Sequence, residues 1–168
     1  MIKPARTLDA VGDVLRSVGL FRELHRPGDV TVLGVCQDSR EVQPGDLFLA
    51  WKGATADAHD FVAEAVANGA VAVMVERPVD ADVPQFVVAD GRRSAALVAR
   101  AVTGSADEAM FMVGVTGTNG KTTTALLVRH LMASRGLAAA IGTLGVVDAE
   151  GVDVTCPGHI ERGVVRAV

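Results

Sequence analysis

An apolar run that breaks into glycines and then into a Lys-Thr pair is compatible with few folds, and residues 110–124, MFMVGVTGTNGKTTT, contain that pattern. Met110 to Val115 reads as a strand apolar enough to be buried on both faces, as in a parallel sheet. Gly117 and Gly120 open backbone conformations closed to other residues and let main-chain N–H groups approach an anion, while Thr116, Thr118 and Asn119 favour a turn. Lys121, Thr122 and Thr123 then start a helix whose unpaired N–H groups and positive dipole end attract phosphate. Lys121 adds a full positive charge, and Thr122 is placed as a hydroxyl ligand for a magnesium ion bridging the outer phosphates. Gly117, Thr118, Asn119, Gly120, Lys121, Thr122 and Thr123 are therefore the candidate residues for a nucleotide triphosphate. Val115 stands where the common P-loop pattern has its first glycine, so the spacing is a variant.

The rest of the composition narrows the setting. With 168 residues and 49% hydrophobic content, the chain has enough apolar surface for one ordinary core or two small ones. A net charge of −4, with scattered arginines, gives no broad basic surface for nucleic acid. Cys36 and Cys156 lie far apart without metal-ligand spacing, so neither a disulfide framework nor a zinc site is indicated. The N-terminus, MIKPARTLDAVGDV, lacks the apolar segment of a secretion signal, and no stretch approaches membrane-spanning length, which leads to an expected cytoplasmic location.

Periodicity divides the chain near TGSADEA, residues 103–109, into residues 1–105 and 106–168. Upstream, Leu8, Val11, Val14, Leu15 and Val18 recur at helical intervals behind Thr7 as N-cap. Strands are predicted over 30–35, 46–51, 71–75 and 85–89, a short helix over 61–67 and an alanine-rich helix over 92–102. This alternation is that of a small α/β domain with partly parallel pairing. Downstream come the strand 110–115, the loop and a helix over 121–135. That helix is expected to turn Leu126, Leu127, Leu131 and Met132 toward a core and to end near Gly136. A strand over 138–142, a hairpin with its turn at Ala149, Glu150 and Gly151, and the start of a further helix from His159 complete the pattern.

TGTNGKTTT resembles the ATP loop of the Mur ligases, which build the peptide of bacterial cell-wall precursors. A second stretch supports the resemblance: residues 37–60, QDSREVQPGDLFLAWKGATADAHD, followed by FVAEAVANGAVAVMVE, look like the N-terminal domain of the MurE and MurF branches. Ile141, Gly142, Thr143, Leu144 and Gly145 look more like MurE than MurF. The folylpolyglutamate synthetases share the loop but usually place Gly-Ser after the lysine, unlike the triple threonine here.

The resemblance implies an N-terminal domain for a UDP-muramoyl substrate, followed by the opening part of a P-loop ATP domain with ATP and Mg2+ as its ligands. It further implies that ATP phosphorylates a carboxylate of UDP-N-acetylmuramoyl-L-alanyl-D-glutamate, after which an amino acid attacks the acyl phosphate and forms an amide bond. A carbamylated lysine, acidic magnesium ligands and an amino-acid-binding domain belong to segments of such ligases not recognisable in this chain, which is therefore expected to be catalytically incomplete and to need the remainder in cis. Gln37 and Ser39, with Ala54, Thr55 and Ala56, are implied as substrate contacts. Read from the residues alone, this element is a solvated turn after a strand in which Asp38 caps and Arg40 is salt-bridged, and the resemblance is what favours substrate contact. Thr155 and Cys156 occupy the place of two substrate-contacting threonines, Cys156 having lost the hydroxyl donor. His59, in DAHDF, is expected to be a structural histidine at a helix start, and Trp51 a core residue. Two other functional classes stand beside the ligase: a stand-alone module binding a nucleotide or UDP-sugar without turnover, and a generic P-loop phosphotransferase that leaves residues 37–75 without a role.

Overall fold

The computed structural model describes residues 6–53 and 56–152. Ala54 and Thr55, Thr155 and Cys156, and the helix expected from His159 lie outside the described residues. The chain divides into two compact units, the first reaching to Met110 and the second starting at Phe111.

The first unit opens with a two-residue strand, β1 (Arg6–Thr7), and helix α1 (Leu8–Ser17). Thr7 caps α1 as its spacing predicted, accepting from the Ala10 N–H at 3.3 Å. Strands β2 (Phe21–His25), β3 (Thr31–Val32), β4 (Gly34–Cys36) and β5 (Asp46–Leu49) follow, then helix α2 (Val62–Ala67), strands β6 (Ala72–Val75) and β7 (Gln85–Val88), and helix α3 (Gly91–Thr103). The main sheet has the order β2-β7-β6-β5-β4. β4, β5, β6 and β7 pair in parallel, and β2 is added antiparallel at one edge.

Alternation along each central strand feeds two cores. Leu47 and Leu49 of β5 join Leu8, Val11 and Leu15 of α1 and Val98 and Val102 of α3. Phe48 and Ala50 point to the opposite face, with Val62 and Ala65 of α2. A parallel sheet covered by helices on both faces is the arrangement its continuous apolar strands require.

Several expectations are corrected here. The single strand over 30–35 is broken at Leu33: β3 pairs with β1 in a separate ribbon and β4 enters the main sheet. Leu33 gives its N–H to the Gly45 carbonyl at 2.9 Å, which interrupts the run. β2, FRELH, was not predicted, because an edge strand with a mixed burial pattern carries no clean alternation. The helix over 61–67 begins earlier, with a 3-10 turn at Ala58–Phe61 capped by Asp57.

The second unit holds helix α4 (Lys121–Ala133) and the antiparallel hairpin of β8 (Ala140–Gly142) and β9 (Gly145–Val147). The predicted strand at 110–115 does not form. A strand gains its ladder only from a neighbour, and no described residue pairs with this segment, so Phe111 stands 87% exposed. For the same reason α4 buries no residue fully, and Leu127, Leu131 and Met132 are exposed rather than turned into a core. The helix stops at Ala133 with Ser134 as C-cap, ahead of Gly136. The hairpin turn falls at Thr143 and Leu144, because Gly142 pairs with Gly145. The predicted turn at 149–151 is present as a second turn, in which Asp148 donates its N–H to the Val152 carbonyl at 2.9 Å.

Candidate functional site

In a parallel α/β sheet the loops leaving the C-terminal ends of the strands form the binding crevice. In the first unit these loops contain Gln37, Asp38, Ser39 and Arg40 after β4, Trp51 to Gly53 and Ala56 after β5, and Glu76 and Arg77 after β6. The sequence-predicted substrate residues Gln37, Ser39 and Ala56 therefore all follow the ends of neighbouring strands. Gln37 is half-buried, Ser39 buried and Ala56 exposed.

Asp38 caps the 3-10 turn at Ser39–Glu41, accepting from the Arg40 N–H at 3.1 Å. Its carboxylate also takes both arms of the Arg40 fork, Nε at 2.9 Å and Nη2 at 2.8 Å. This hydrogen bond, and then the charge of Asp38, raises the Arg40 pKa above its ordinary value. The Arg40 fork is thus turned inward on Asp38. The Ser39 hydroxyl donates to Glu64 Oε2 at 2.5 Å, and its carbonyl accepts from the Asn68 amide at 2.9 Å. A substrate contact at Ser39 would exchange the Glu64 partner for a ligand oxygen.

The turn after β5 has a scaffold that the sequence did not disclose. The Gly53 N–H donates to Ala56 O at 2.9 Å and the Ala58 N–H to Trp51 O at 3.2 Å. Glu76 bridges from β6, its Oε2 accepting from the Lys52 N–H at 3.1 Å and its Oε1 from the Gly91 N–H at 2.9 Å. His59 is buried, as expected of a structural histidine, with Nδ1 at 2.5 Å from Asp57 Oδ1 and Nε2 accepting from the Glu76 N–H at 3.0 Å. Arg77 donates to the other Asp57 oxygen at 3.2 Å. Glu76 and Arg77 escaped sequence reading because their partners, Lys52, His59 and Gly91 for the one and Asp57 for the other, are distant along the chain. The one local signal was Asp57, two positions before His59 in DAHDF.

Hydrogen bonds from the His59 ring and from the His59 N–H, with a smaller one from Arg77, hold the Asp57 carboxyl at about 2, below its ordinary 3.8. A depressed carboxylate stabilises the fold above its unfolded pKa and loses that contribution as pH falls through the folded one. The stability difference between the parent and Asp57→Asn should therefore be full above about pH 4 and shrink toward pH 2. Chemical denaturation of both proteins across that range checks it; a pH-independent difference would exclude Asp57 as the titrating group.

In the second unit, Gly117 and Gly120 have φ of +150° and +78°. Gly120 is the N-cap of α4 in the left-handed region, where a side chain would be strained, and no side chain caps the helix start. A Cβ at Gly120 would meet nothing within 4 Å, so the approach to the N–H groups of Lys121, Thr122 and Thr123 is open on that side. The Lys121 ammonium donates to Gly117 O at 2.6 Å and Thr118 O at 3.3 Å, folding back over the loop. The Thr122 hydroxyl lies 3.3 Å from that of Thr143, which follows β8. A bare helix start, a glycine hinge and an ammonium beside the loop form a donor set suited to phosphate. One hydroxyl at Thr122 suits magnesium, which takes its remaining ligands from phosphate and water. Among the described residues no group of three or more His, Cys, Asp or Glu is placed to hold a metal by itself, and no helix is long and apolar enough to cross a membrane.

Comparison with known proteins adds the family context. A family model described as Mur ligase family, catalytic domain, matches residues 31–110, and one described as Mur ligase middle domain matches residues 115–161. The UDP-N-acetylmuramoyl-L-alanyl-D-glutamate–2,6-diaminopimelate ligase of Geobacillus thermodenitrificans is 44% identical over 124 residues, covering 74% of this chain and 25% of that protein. The ligase of the same name from Solibacter usitatus is 44% identical over 138 residues, 80% of this chain and 28% of that protein. Among solved structures, MurF from Acinetobacter baumannii superposes with a TM-score of 0.68 at 31% identity, covering 86% of this chain and 31% of that one. The chain thus spans about a quarter of the length of the curated relatives it matches.

Proposed function

This chain belongs to the Mur ligase family, and we propose on that footing that it is the substrate- and nucleotide-binding opening of a MurE-type, ATP-dependent amide-bond ligase of peptidoglycan precursor synthesis. One observation carries the reading: the uncapped start of α4 behind left-handed Gly120, with Lys121 folded over the loop. Residues 1–105 form the UDP-muramoyl domain and residues 106–168 the first part of the central ATP domain, the remainder being supplied in cis. The protein works in the cytoplasm on soluble precursors. The MurE reading is preferred over MurF because the relatives that reach 44% identity bear the diaminopimelate ligase name.

Gly117 to Thr123 hold the phosphate chain through main-chain N–H groups. Lys121 neutralises charge on the transferring group, and Thr122 holds magnesium. Bound ATP supplies the phosphoryl group that converts a poorly reactive carboxylate into an acyl donor. Gln37, Ser39 and the Ala54, Thr55, Ala56 segment hold the UDP-muramoyl substrate, with Thr155 and Cys156 as further contact positions. The Cys36 thiol donates to the Asp38 carbonyl at 3.2 Å in the loop after β4, the two cores support the strands that carry both loops, and positioning is the larger part of such catalysis.

Read in its full frame, the ligase is expected to release ADP only when UDP-N-acetylmuramoyl-L-alanyl-D-glutamate and an amino acid are both present. The relatives' names make 2,6-diaminopimelate the first amino acid to try. ADP release that ignores the UDP substrate would instead favour a generic phosphotransferase, and no release with any amino acid would remove the ligase reading.

A further inference from the structure

We propose that His59, as the neutral Nδ1–H tautomer, is the positioning residue that fixes the turn after β5 for ligand contact. The proposal deepens the substrate-site reading above and rests on it only for the identity of the ligand.

The tautomer follows from the two ring contacts. A backbone N–H only donates, so the Glu76 N–H at 3.0 Å requires a bare Nε2. A neutral ring with a bare Nε2 carries its proton on Nδ1, which faces the Asp57 carboxylate at 2.5 Å. Both contacts select one state. The His59 side chain is only 2% exposed, so water does not replace either partner.

This ring connects the turn after β5 to the end of β6. On one side is the turn itself: Lys52 and Asp57 pair in an isolated antiparallel bridge, and Gly53 and Ala58 close it with their N–H groups. On the other side is the end of β6, where Glu76 meets the ring through its N–H and the turn through its carboxylate. Arg77, next along the chain, holds the outer Asp57 oxygen. The charged groups around the ring are thus Asp57 directly, with Arg77 behind it, and the Glu76 carboxylate on Lys52 and Gly91. Removing the ring leaves a half-buried Glu76 N–H without its acceptor and frees Asp57 to turn toward Arg77. The described arms of the turn, Trp51–Gly53 and Ala56–Ala58, are then tied to the end of β6 through the Glu76 carboxylate on Lys52 and through Arg77 on Asp57, without the buried ring between them. Any ligand recognised through their main chain meets a surface that must be ordered on binding.

The test uses the 168-residue chain with UDP as probe. Nitrogen-15 spectra of labelled histidine, with His59→Asn to assign the signal, should show one bare and one protonated ring nitrogen, the protonated one being Nδ1. His59→Phe, which fills the space without either bond, should bind UDP at least about tenfold more weakly and exchange the Gly53 and Ala58 amides faster. His59→Asn retains a donor for Asp57 and His59→Gln an acceptor for Glu76, so each should fall between the parent and His59→Phe. This graded rescue separates positioning from packing. A ring protonated on Nε2 near neutral pH, or Gly53 and Ala58 exchange in His59→Phe equal to that of the parent, would overturn the proposal. Absence of UDP binding by the parent would sink the substrate-site reading, and the ring nitrogens and amide exchange would still decide the role of His59.

Discussion

Lys121→Ala is expected to weaken binding of magnesium-ATP to this chain by about 100-fold, equivalent to about 2.7 kcal/mol. The size follows from the position of the ammonium, 2.6 Å from Gly117 O and 3.3 Å from Thr118 O, where it lies over the loop that leads into α4. Main-chain N–H groups at the helix start offer partial charge only, and removing the full charge leaves phosphate held by dipoles. Lys121→Arg should recover part of the loss, because charge is restored but the planar fork does not reproduce a compact ammonium. Calorimetric titration with magnesium-ATP measures all three proteins. A Lys121→Ala affinity within threefold of the parent would mean that the loop does not carry the triphosphate.

The second large effect concerns the fold. Phe48→Ala should destabilise the first unit by about 3–5 kcal/mol, whereas Phe111→Ala should change stability by less than about 0.5 kcal/mol. Phe48 is fully buried on β5 in the core that α2 covers, and its removal leaves a cavity that a close-packed sheet refills poorly. Phe111 is 87% exposed and belongs to no described strand. Urea denaturation of the two variants makes the comparison within one chain. Equal costs would contradict the assignment of residues 110–115 as unpartnered among the described residues.

That contrast also explains what the sequence could reveal. Helix α1 was legible because its cap, Thr7, and its apolar spacing are both local. The parallel strands β5 and β6 were legible because burial on both faces demands an unbroken apolar run. The same run at Met110–Val115 predicts a strand but not its neighbour, and a ladder needs both. We propose that the partners of Met110–Val115, which are absent among the described residues, and the cover for Leu127, Leu131, Leu137 and Ile141 come from other parts of the central domain. The candidate sites divide along the same line. Gly117, Gly120 and Lys121 announce themselves within one short stretch, and Asp38 with Arg40 forms the capped, salt-bridged turn that the residues alone allowed. The support of the turn after β5 was not legible: Glu76 meets Lys52, His59 and Gly91 only after three separate segments have folded onto the strand ends. His59 was read correctly as structural, but its partner across β6 was not.

Two phosphate-bearing ligands are expected at different parts of this chain, a uridine diphosphate at the strand ends of the first unit and a triphosphate at the loop of the second. Amide-resolved NMR of the 168-residue protein tests this most directly. Magnesium-ATP should shift the signals of Gly117 to Thr123 and leave those of Gln37 to Arg40 and Ala56 to His59 in place, and UDP should do the reverse. Both ligands perturbing one common set of amides, or ATP leaving Gly117 to Thr123 unchanged, would contradict the account.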